Sequence, residues 1–105
     1  MEFLNKIELK GVVGKSTTSV YGGQYVTNFS LVTENVSRDK DGYSHVTDVT
    51  WFHCTKWGDV CEFEPKKGDK VHVVGRMRSR RYTDQNGNER TSWDVLVQKL
   101  ESLPE

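Results

Sequence analysis

The sequence of 105 residues has no alanine, a single isoleucine and only six leucines. Alanine and leucine are among the best helix formers, so their scarcity excludes an all-helical fold. No apolar run approaches the roughly 18 residues that a transmembrane helix requires, and no membrane span is predicted. The first residues lack the basic and then apolar segments of a secretory signal, so a cytoplasmic location is expected.

An excess of charge of either sign is also missing, because fifteen lysines and arginines balance fifteen acidic residues. Any polyanion partner must therefore be argued from where the charges lie along the chain. The two cysteines, Cys54 and Cys61, have neither CxxC nor zinc-ligand spacing, and the three histidines are scattered. The sequence also lacks the nucleophile-elbow, zinc-protease and phosphate-loop motifs. No enzyme activity, metal site or cofactor is predicted.

Strand-forming residues, by contrast, are abundant. Fourteen valines and nine threonines, together with the isoleucine and the aromatic residues, make up 35 of the 105 positions. These side chains fit a pleated and half-buried sheet. The length suits one domain, residues 1–105, with a thin core that oligomerisation would help to stabilise.

Five segments are predicted as strands from their alternation and from the turn residues between them. Their bounds are Phe3–Val13, Tyr25–Thr33, Val46 to Lys56 or Trp57, Lys70–Arg81 and Thr91–Lys99. One short helix is predicted over Gly58–Lys67, because Asp59 and Glu62 resemble a capping box and Pro65 ends the segment early. The order β-β-β-α-β-β is that of an OB-fold, a five-stranded Greek-key barrel, which is one candidate among several small β-barrels.

One face of the predicted third strand carries two tryptophans separated by polar residues. By alternation this face consists of Trp51, His53, Thr55 and Trp57. At about 3.3 Å per residue the two indoles lie roughly 20 Å apart along the strand. Exposed indoles stack on nucleic-acid bases, which contributes roughly 1–3 kcal/mol per base. The alternative is that the rings fill the barrel, but a core face rarely places histidine and threonine between two tryptophans.

One face of the predicted fourth strand is basic. By the same alternation it carries three arginines and a tyrosine, namely Arg76, Arg78, Arg80 and Tyr82. Between Lys66 and Tyr82 the net charge is +6, so the rest of the chain carries −6. Like charges on one face repel each other unless phosphates or carboxylates neutralise them. We favour phosphate binding over a solvated face that pairs with acids on a neighbouring strand.

Several motifs, taken in order, resemble those of bacterial single-stranded DNA-binding proteins across nearly the whole chain. Asn5–Gly11 is similar to the family's opening Asn-Lys-hydrophobic strand, and Asn28–Thr33 is similar to its Asn-Phe-Ser-Leu-Ala-Thr strand. Trp51–Gly58 resembles the family's Trp-His segment and the aromatic-Gly pair that follows it. Residues 66–71 and 75–84 resemble the family's most recognisable stretch.

The resemblance implies an OB-fold that binds single-stranded DNA with little sequence preference during replication, recombination or repair, in the cytoplasm at the nucleoid. It also implies a homo-oligomer, a tetramer with a dimer as the alternative. It assigns base stacking to Trp51, Trp57 and Tyr82. It assigns phosphate contacts to Lys6, Lys67, Arg80 and Arg81, and more loosely to Arg76 and Arg78. Further predicted contacts to the strand are His53 and Lys56.

Several departures from the family pattern limit what the resemblance implies. A stacking aromatic expected after the second strand falls near Val36 and Ser37, so Tyr43 is its candidate replacement. Phe52 stands where the family often has histidine near a subunit contact, so the tetramer is less firmly implied for this chain. The family's flexible tail with an acidic tip is absent, so recruitment of partner proteins through such a tip is not expected.

Three other hypotheses remain open from the sequence. In a primosome-type OB-fold accessory module, the aromatic face would be a subunit interface. Stacking and phosphate contacts serve RNA as well as DNA, so an RNA-binding OB-fold protein is a further alternative. A metal-dependent nuclease would gather Asp39, Asp41 and Asp48, although a solvated turn explains these residues more simply.

Overall fold

The computed structural model describes residues 1–58 and 63–104, and most of them lie in five strands. The strands are β1 Ile7–Tyr21, β2 Gln24–Arg38, β3 Ser44–Gly58, β4 Lys70–Thr83 and β5 Glu89–Ser102. They close into a barrel in the order β1-β2-β3-β5-β4. The prediction of an all-β, five-stranded OB-fold barrel is therefore confirmed.

The barrel closes where β3 meets β5. This pair is parallel and only two residues long, whereas every other neighbouring pair of strands in the barrel is antiparallel. On the opposite side β1 pairs with β4 over Ile7–Val12 and with β2 from Val12 onward. A register shift between Val13 and Ser16 marks a bulge, which lets one long strand bend around the barrel.

The predicted helix over Gly58–Lys67 is not confirmed. The described part of this range consists of the end of β3, an irregular segment at 63–66 and the start of a turn. The proposed capping residues, at 59–62, lie outside the described residues. Pro65 is fully buried, so packing fixes this segment without a helical ladder, which proline interrupts. No helix in the described part of the chain is long and apolar enough to cross a membrane.

The strands are longer than predicted, because they continue as hairpin arms beyond the core. β1 begins at Ile7 rather than Phe3 and extends eight residues past Val13. It turns into β2 at Gly22 and Gly23, whose positive φ angles of 56° and 81° suit a two-residue hairpin turn. Both faces of the arms are largely exposed, so the hydrophobic alternation that marks a half-buried strand is absent there.

The core is small and consists mainly of inward-facing valines. Its buried members are Val13, Phe29, Leu31, Cys54, Val71, Val73, Val95 and Val97. A bulge between Val74 and Gly75 brings β4 against β5 so closely that a Cβ at Gly75 would collide with the carbonyl oxygen of Leu96. The closed barrel therefore turns the other side chains of the same strands outward, where the candidate site lies.

Candidate nucleic-acid interface

The two tryptophans of β3 lie on the outer face of the barrel. Trp51 is 60% exposed and Trp57 is 46% exposed, and His53 between them is exposed as well. The alternate residue Cys54 is completely buried in the core. The indoles therefore do not fill the barrel, and this face presents flat aromatic surface to solvent.

The Trp51 indole extends sideways from β3, across β2 and onto β1. A Cβ added at Gly14 of β1 would lie 2.7 Å from Trp51 Cζ3 and 2.7 Å from Ser30 Oγ of β2. Glycine at this position therefore leaves room for the ring. Because the ring rests on backbone, its outer side is presented in one defined orientation.

The basic row of β4 lies on the outer face, but its members are not equivalent. Arg78 is 27% exposed, whereas Arg80 is 60% exposed and Tyr82 is half exposed. Arg76 is exposed too. Arg81 alternates to the opposite face of β4, so the structure does not bring it into this row.

The reason for the burial of Arg78 is Asp94 on the neighbouring strand β5. Asp94 is only 5% exposed and accepts hydrogen bonds from Arg78 Nη2 at 2.8 Å and from Arg78 Nε at 3.1 Å. Arg80 Nη2 lies 3.7 Å from the same carboxylate. These hydrogen bonds lower the pKa of Asp94 and raise the pKa of Arg78, because each charged form stabilises the other. For Arg78, the structure thus shows the alternative to phosphate binding, which is pairing with an acid on a neighbouring strand.

The carboxylate also connects to the β2–β3 side of the barrel. Thr55 Oγ1 donates a 2.9 Å hydrogen bond to Asn28 Oδ1 and lies 3.5 Å from Asp94 Oδ2. Thr55 is on the outer face but only 5% exposed, since these polar neighbours cover it. A polar chain therefore runs across four strands, from Arg78 through Asp94 and Thr55 to Asn28.

Two lysines that were predicted to contact phosphates lie outside the strands, one just before β1 and one in the turn before β4. The side chain of Asn5 donates from Nδ2 to Met77 O at 2.7 Å and accepts from Met77 N at 3.0 Å. This pairing places the adjacent Lys6 beside Arg76. Lys67 lies in a turn. The N–H of the next residue, Gly68, donates a 2.8 Å hydrogen bond to the carbonyl oxygen of Val13, which precedes Gly14 in β1. Both lysines are exposed.

Lys56 is placed differently from the other predicted contacts. It alternates with the outward-facing Trp57 and is half-buried, so it belongs to the face of β3 that carries Cys54. Tyr43, the candidate for the missing stacking position, is exposed at the tip of the β2–β3 hairpin. Neither side chain is brought next to the two indoles by strand pairing.

A cleft of about 250 Å³ lies on the outer face between the rows of β1, β2 and β3. Its lining residues are Lys15, Ser16, Thr17, Asn28, Phe29, Ser30 and His53. The cleft opens at the β1 bulge, and strand pairing places it between the positions of Trp51 and Trp57. Only His53 among the lining residues was predicted as a site residue, because neither the bulge nor the register of β1 on β2 can be seen in the sequence.

A third exposed tryptophan escaped the sequence analysis. Trp93 of β5 is 63% exposed and shares the parity of the core residue Val95, so it lies on the opposite face of the β4–β5 arm from Tyr82. Its position within a predicted strand gave no signal that the arm would leave both faces open to solvent.

A closed five-stranded barrel that exposes aromatic rings beside a basic row is typical of OB-fold domains that bind nucleic acids. The family described as "Single-strand binding protein family" matches residues 4–103, and the chain belongs to this family.

Named relatives and solved structures agree with this assignment. The "Single-stranded DNA-binding protein" of Neisseria meningitidis serogroup A is 32% identical over 105 residues, which are 95% of this chain and 60% of that protein. "Single-stranded DNA-binding protein 1" of Xylella fastidiosa is 29% identical over 98% of this chain and 79% of that protein. The chain thus spans about 60% of the length of the Neisseria relative.

Two solved structures share the fold. The structure described as "Plasmodium falciparum SSB complex with ssDNA" superposes with a TM-score of 0.82 at 24% identity, covering 99% of this chain and 98% of that chain. A deletion mutant of the single-stranded DNA binding protein from Thermus aquaticus gives a TM-score of 0.74 at 18% identity, over 96% of this chain and 51% of that chain.

Proposed function

We propose that the protein binds single-stranded DNA with little sequence preference and without catalysis. The observation that carries the proposal is the pair of exposed indoles, Trp51 and Trp57, on the outer face of a barrel that also exposes a basic row. The names of its relatives, and the ssDNA in the Plasmodium complex, support the choice of ligand. The proposal assigns residues 1–105 to one DNA-binding domain.

Base stacking supplies the sequence-independent part of the affinity. Trp51, Trp57 and Tyr82 each present a ring to solvent, and every base has a face that can stack on such a ring at roughly 1–3 kcal/mol. Because about 20 Å of strand separates the two indoles, several nucleotides pass between them. The bound DNA strand then continues from β3 toward Tyr82 on the β4–β5 arm.

Phosphate contacts come from exposed cations. Arg76, Lys6 and Lys67 are exposed, and Arg80 is 60% exposed although its Nη2 lies 3.7 Å from Asp94. These four are the strongest candidates for phosphate contacts, and His53 is proposed to contact the single strand on β3, between the two indoles. Arg78 contributes less, since its guanidinium is already bonded to Asp94. Arg81 and Lys56 contribute only where the strand passes over an edge onto the opposite face.

The proposal extends to assembly and cellular role. We infer a homotetramer, with a dimer as the alternative, since a thin core gains stability from burial between subunits. Protection of single strands in replication, recombination or repair, in the cytoplasm at the nucleoid, would follow from binding of this kind. Light scattering at micromolar concentration measures the subunit number directly.

A fluorescence titration with oligo-dT at two salt concentrations tests the proposed function. Binding should quench tryptophan emission strongly, and higher salt should weaken binding because phosphate contacts release counterions. Trp51→Ala should lower the affinity about tenfold for oligo-dT, oligo-dC and oligo-dA alike. Trp93→Ala is the matched control, since Trp93 is as exposed but lies on the other face of the arm.

Two outcomes would contradict the proposed function. Unchanged emission at low salt with every oligonucleotide would exclude binding at the indoles. A loss on Trp51→Ala confined to one base would indicate readout of a single sequence instead. A parallel titration with oligo-rU separates the RNA-binding alternative, which requires affinity for RNA at least equal to that for DNA.

A further inference from the structure

The Asn28 side chain is held in a fixed orientation by a hydrogen bond from the neighbouring strand β3. Its Oδ1 accepts the 2.9 Å hydrogen bond from Thr55 Oγ1. Thr55 Oγ1 lies 3.5 Å from Asp94 Oδ2, which is much longer than its 2.9 Å distance to Asn28 Oδ1. The hydroxyl proton of Thr55 therefore goes to Asn28, which fixes which way the amide points.

This orientation leaves the amide nitrogen of Asn28 as an unused donor. Within residues 1–58 and 63–104 no hydrogen bond from Asn28 Nδ2 is found, and Asn28 lines the cleft of about 250 Å³. The cleft is open to solvent on its outer side and is large enough to admit a planar heterocycle. A residue with two unused N–H groups therefore lines a cleft of suitable size.

The neighbourhood of the cleft favours a base over other ligands. The Trp51 ring lies against Gly14 and Ser30 at one end, and Asn28 is two residues from Ser30, about 7 Å further along β2. The Ser30 oxygen already accepts the N–H of Lys15 at 2.9 Å. A base that stacks on Trp51 can therefore extend its edge over the cleft that Asn28 lines.

We propose that Asn28 reads the edge of a nucleobase in this cleft, donating from Nδ2 to a carbonyl oxygen or ring nitrogen of the base. Thr55 is a positioning residue, because it fixes the amide without touching the base. The proposal rests on the proposed function, since it needs a single strand on the Trp51 face. It adds a base-edge contact to binding that is otherwise made by stacking and charge.

The test compares oligo-dT with an oligonucleotide of equal length built from the difluorotoluene analogue of thymidine. The analogue keeps the shape and stacking surface of thymine but replaces its carbonyl oxygens with poor acceptors. The native protein should bind oligo-dT about fivefold more tightly, the value of one net hydrogen bond. Asn28→Ala should bind the two oligonucleotides equally. Thr55→Val keeps the Asn28 amide but removes the hydrogen bond that orients it, and it should reduce the preference to about twofold.

The controls separate a base contact from a change in fold. Asn28→Asp keeps an acceptor for Thr55 and removes the donor, so it should lose the preference even if Asn28→Ala folds poorly. Ser19→Ala, on the outer face of β1 and outside the cleft, should keep the full preference.

Three results would overturn the inference. The inference fails, and the proposed function stands, if the native protein binds both oligonucleotides equally. The same holds if Asn28→Ala and Asn28→Asp keep the full preference. Failure of the native protein to bind either oligonucleotide overturns the proposed function and this inference with it.

Discussion

Arg78 of β4 and Asp94 of β5 form a bidentate ion pair, with Nη2 to Oδ2 at 2.8 Å and Nε to Oδ1 at 3.1 Å. The carboxylate is almost completely buried, and it reaches Thr55 of β3 as well. This pair therefore lies where the parallel contact between β3 and β5 closes the barrel. It divides the basic row, because Arg78 is held to the fold at 27% exposure whereas Arg80 is 60% exposed to a ligand.

Removing this carboxylate should destabilise the protein. Asp94→Ala leaves Arg78 half-buried without its partner, and we expect the free energy of unfolding to fall by about 1–3 kcal/mol. Urea denaturation measures the loss as a lower midpoint at unchanged slope. Glu101→Ala is the matched control, since Glu101 pairs with Lys99 in an exposed ion pair at 3.1 Å and its loss should lower the stability far less. Equal losses in the two variants would contradict a structural role for Asp94.

The same pair should make the stability of the protein depend on acid pH. The hydrogen bonds from Arg78 lower the pKa of Asp94 in the folded state, so the unfolded state takes up a proton first as the pH falls. The stabilisation is complete above the ordinary carboxyl pKa of about 3.9 and is lost as the pH falls through the lower, folded-state value. Melting temperatures between pH 7 and pH 2.5 should fall less steeply for Asp94→Asn than for the native protein. Parallel curves for the two proteins would show that Asp94 does not contribute.

The strands were predictable wherever one face of a strand is buried. Alternation around Val71 and Val73 in β4 identifies the core face, and the opposite parity then identifies the arginine row. The hairpin arms were underestimated because they have no buried face. The helix is not confirmed in the described residues, where Pro65 is packed in an irregular segment that a capping pattern does not reveal. Local patterns report burial, so they fail where tertiary contacts or exposure on both faces decide the structure.

The candidate site was predictable in its rows but not in the contacts between them. Parity within β3 is sufficient to place Trp51 and Trp57 on one face. The pairing of Arg78 with Asp94, and that of Asn28 with Thr55 27 residues away, depends on inter-strand register. Register is set by the turns and bulges of the folded chain, and the β1 bulge that opens the cleft has no mark of its own in the sequence.

A methyl group at Gly14 should disturb the Trp51 indole without unfolding the barrel. The added Cβ would lie 2.7 Å from Trp51 Cζ3 and from Ser30 Oγ, and both are ends of side chains that can move. Gly14→Ala should therefore shift the tryptophan emission and weaken oligo-dT binding severalfold, with a stability loss of about 1 kcal/mol. Gly75→Ala is the contrasting variant, because its Cβ would meet the backbone carbonyl of Leu96 and should cost about 3 kcal/mol or more. Unchanged emission and binding in Gly14→Ala would show that the indole does not rest on β1.

The buried thiol of Cys54 should be unreactive until the barrel unfolds. Burial, and secondarily the negative charge of Asp94, raise the pKa of Cys54 from 9.0 to about 12, so the thiolate that reacts is depleted about a thousandfold at pH 8. In a Cys61→Ser variant, where Cys54 is the only thiol, Ellman's reagent should label almost nothing in native buffer and one thiol per chain in guanidinium chloride. At high reagent concentration the labelling rate of the native protein should become independent of the concentration, because opening of the barrel then limits it. A native rate equal to that of a free thiol at the same pH would place Cys54 outside the core and contradict the inward parity of β3.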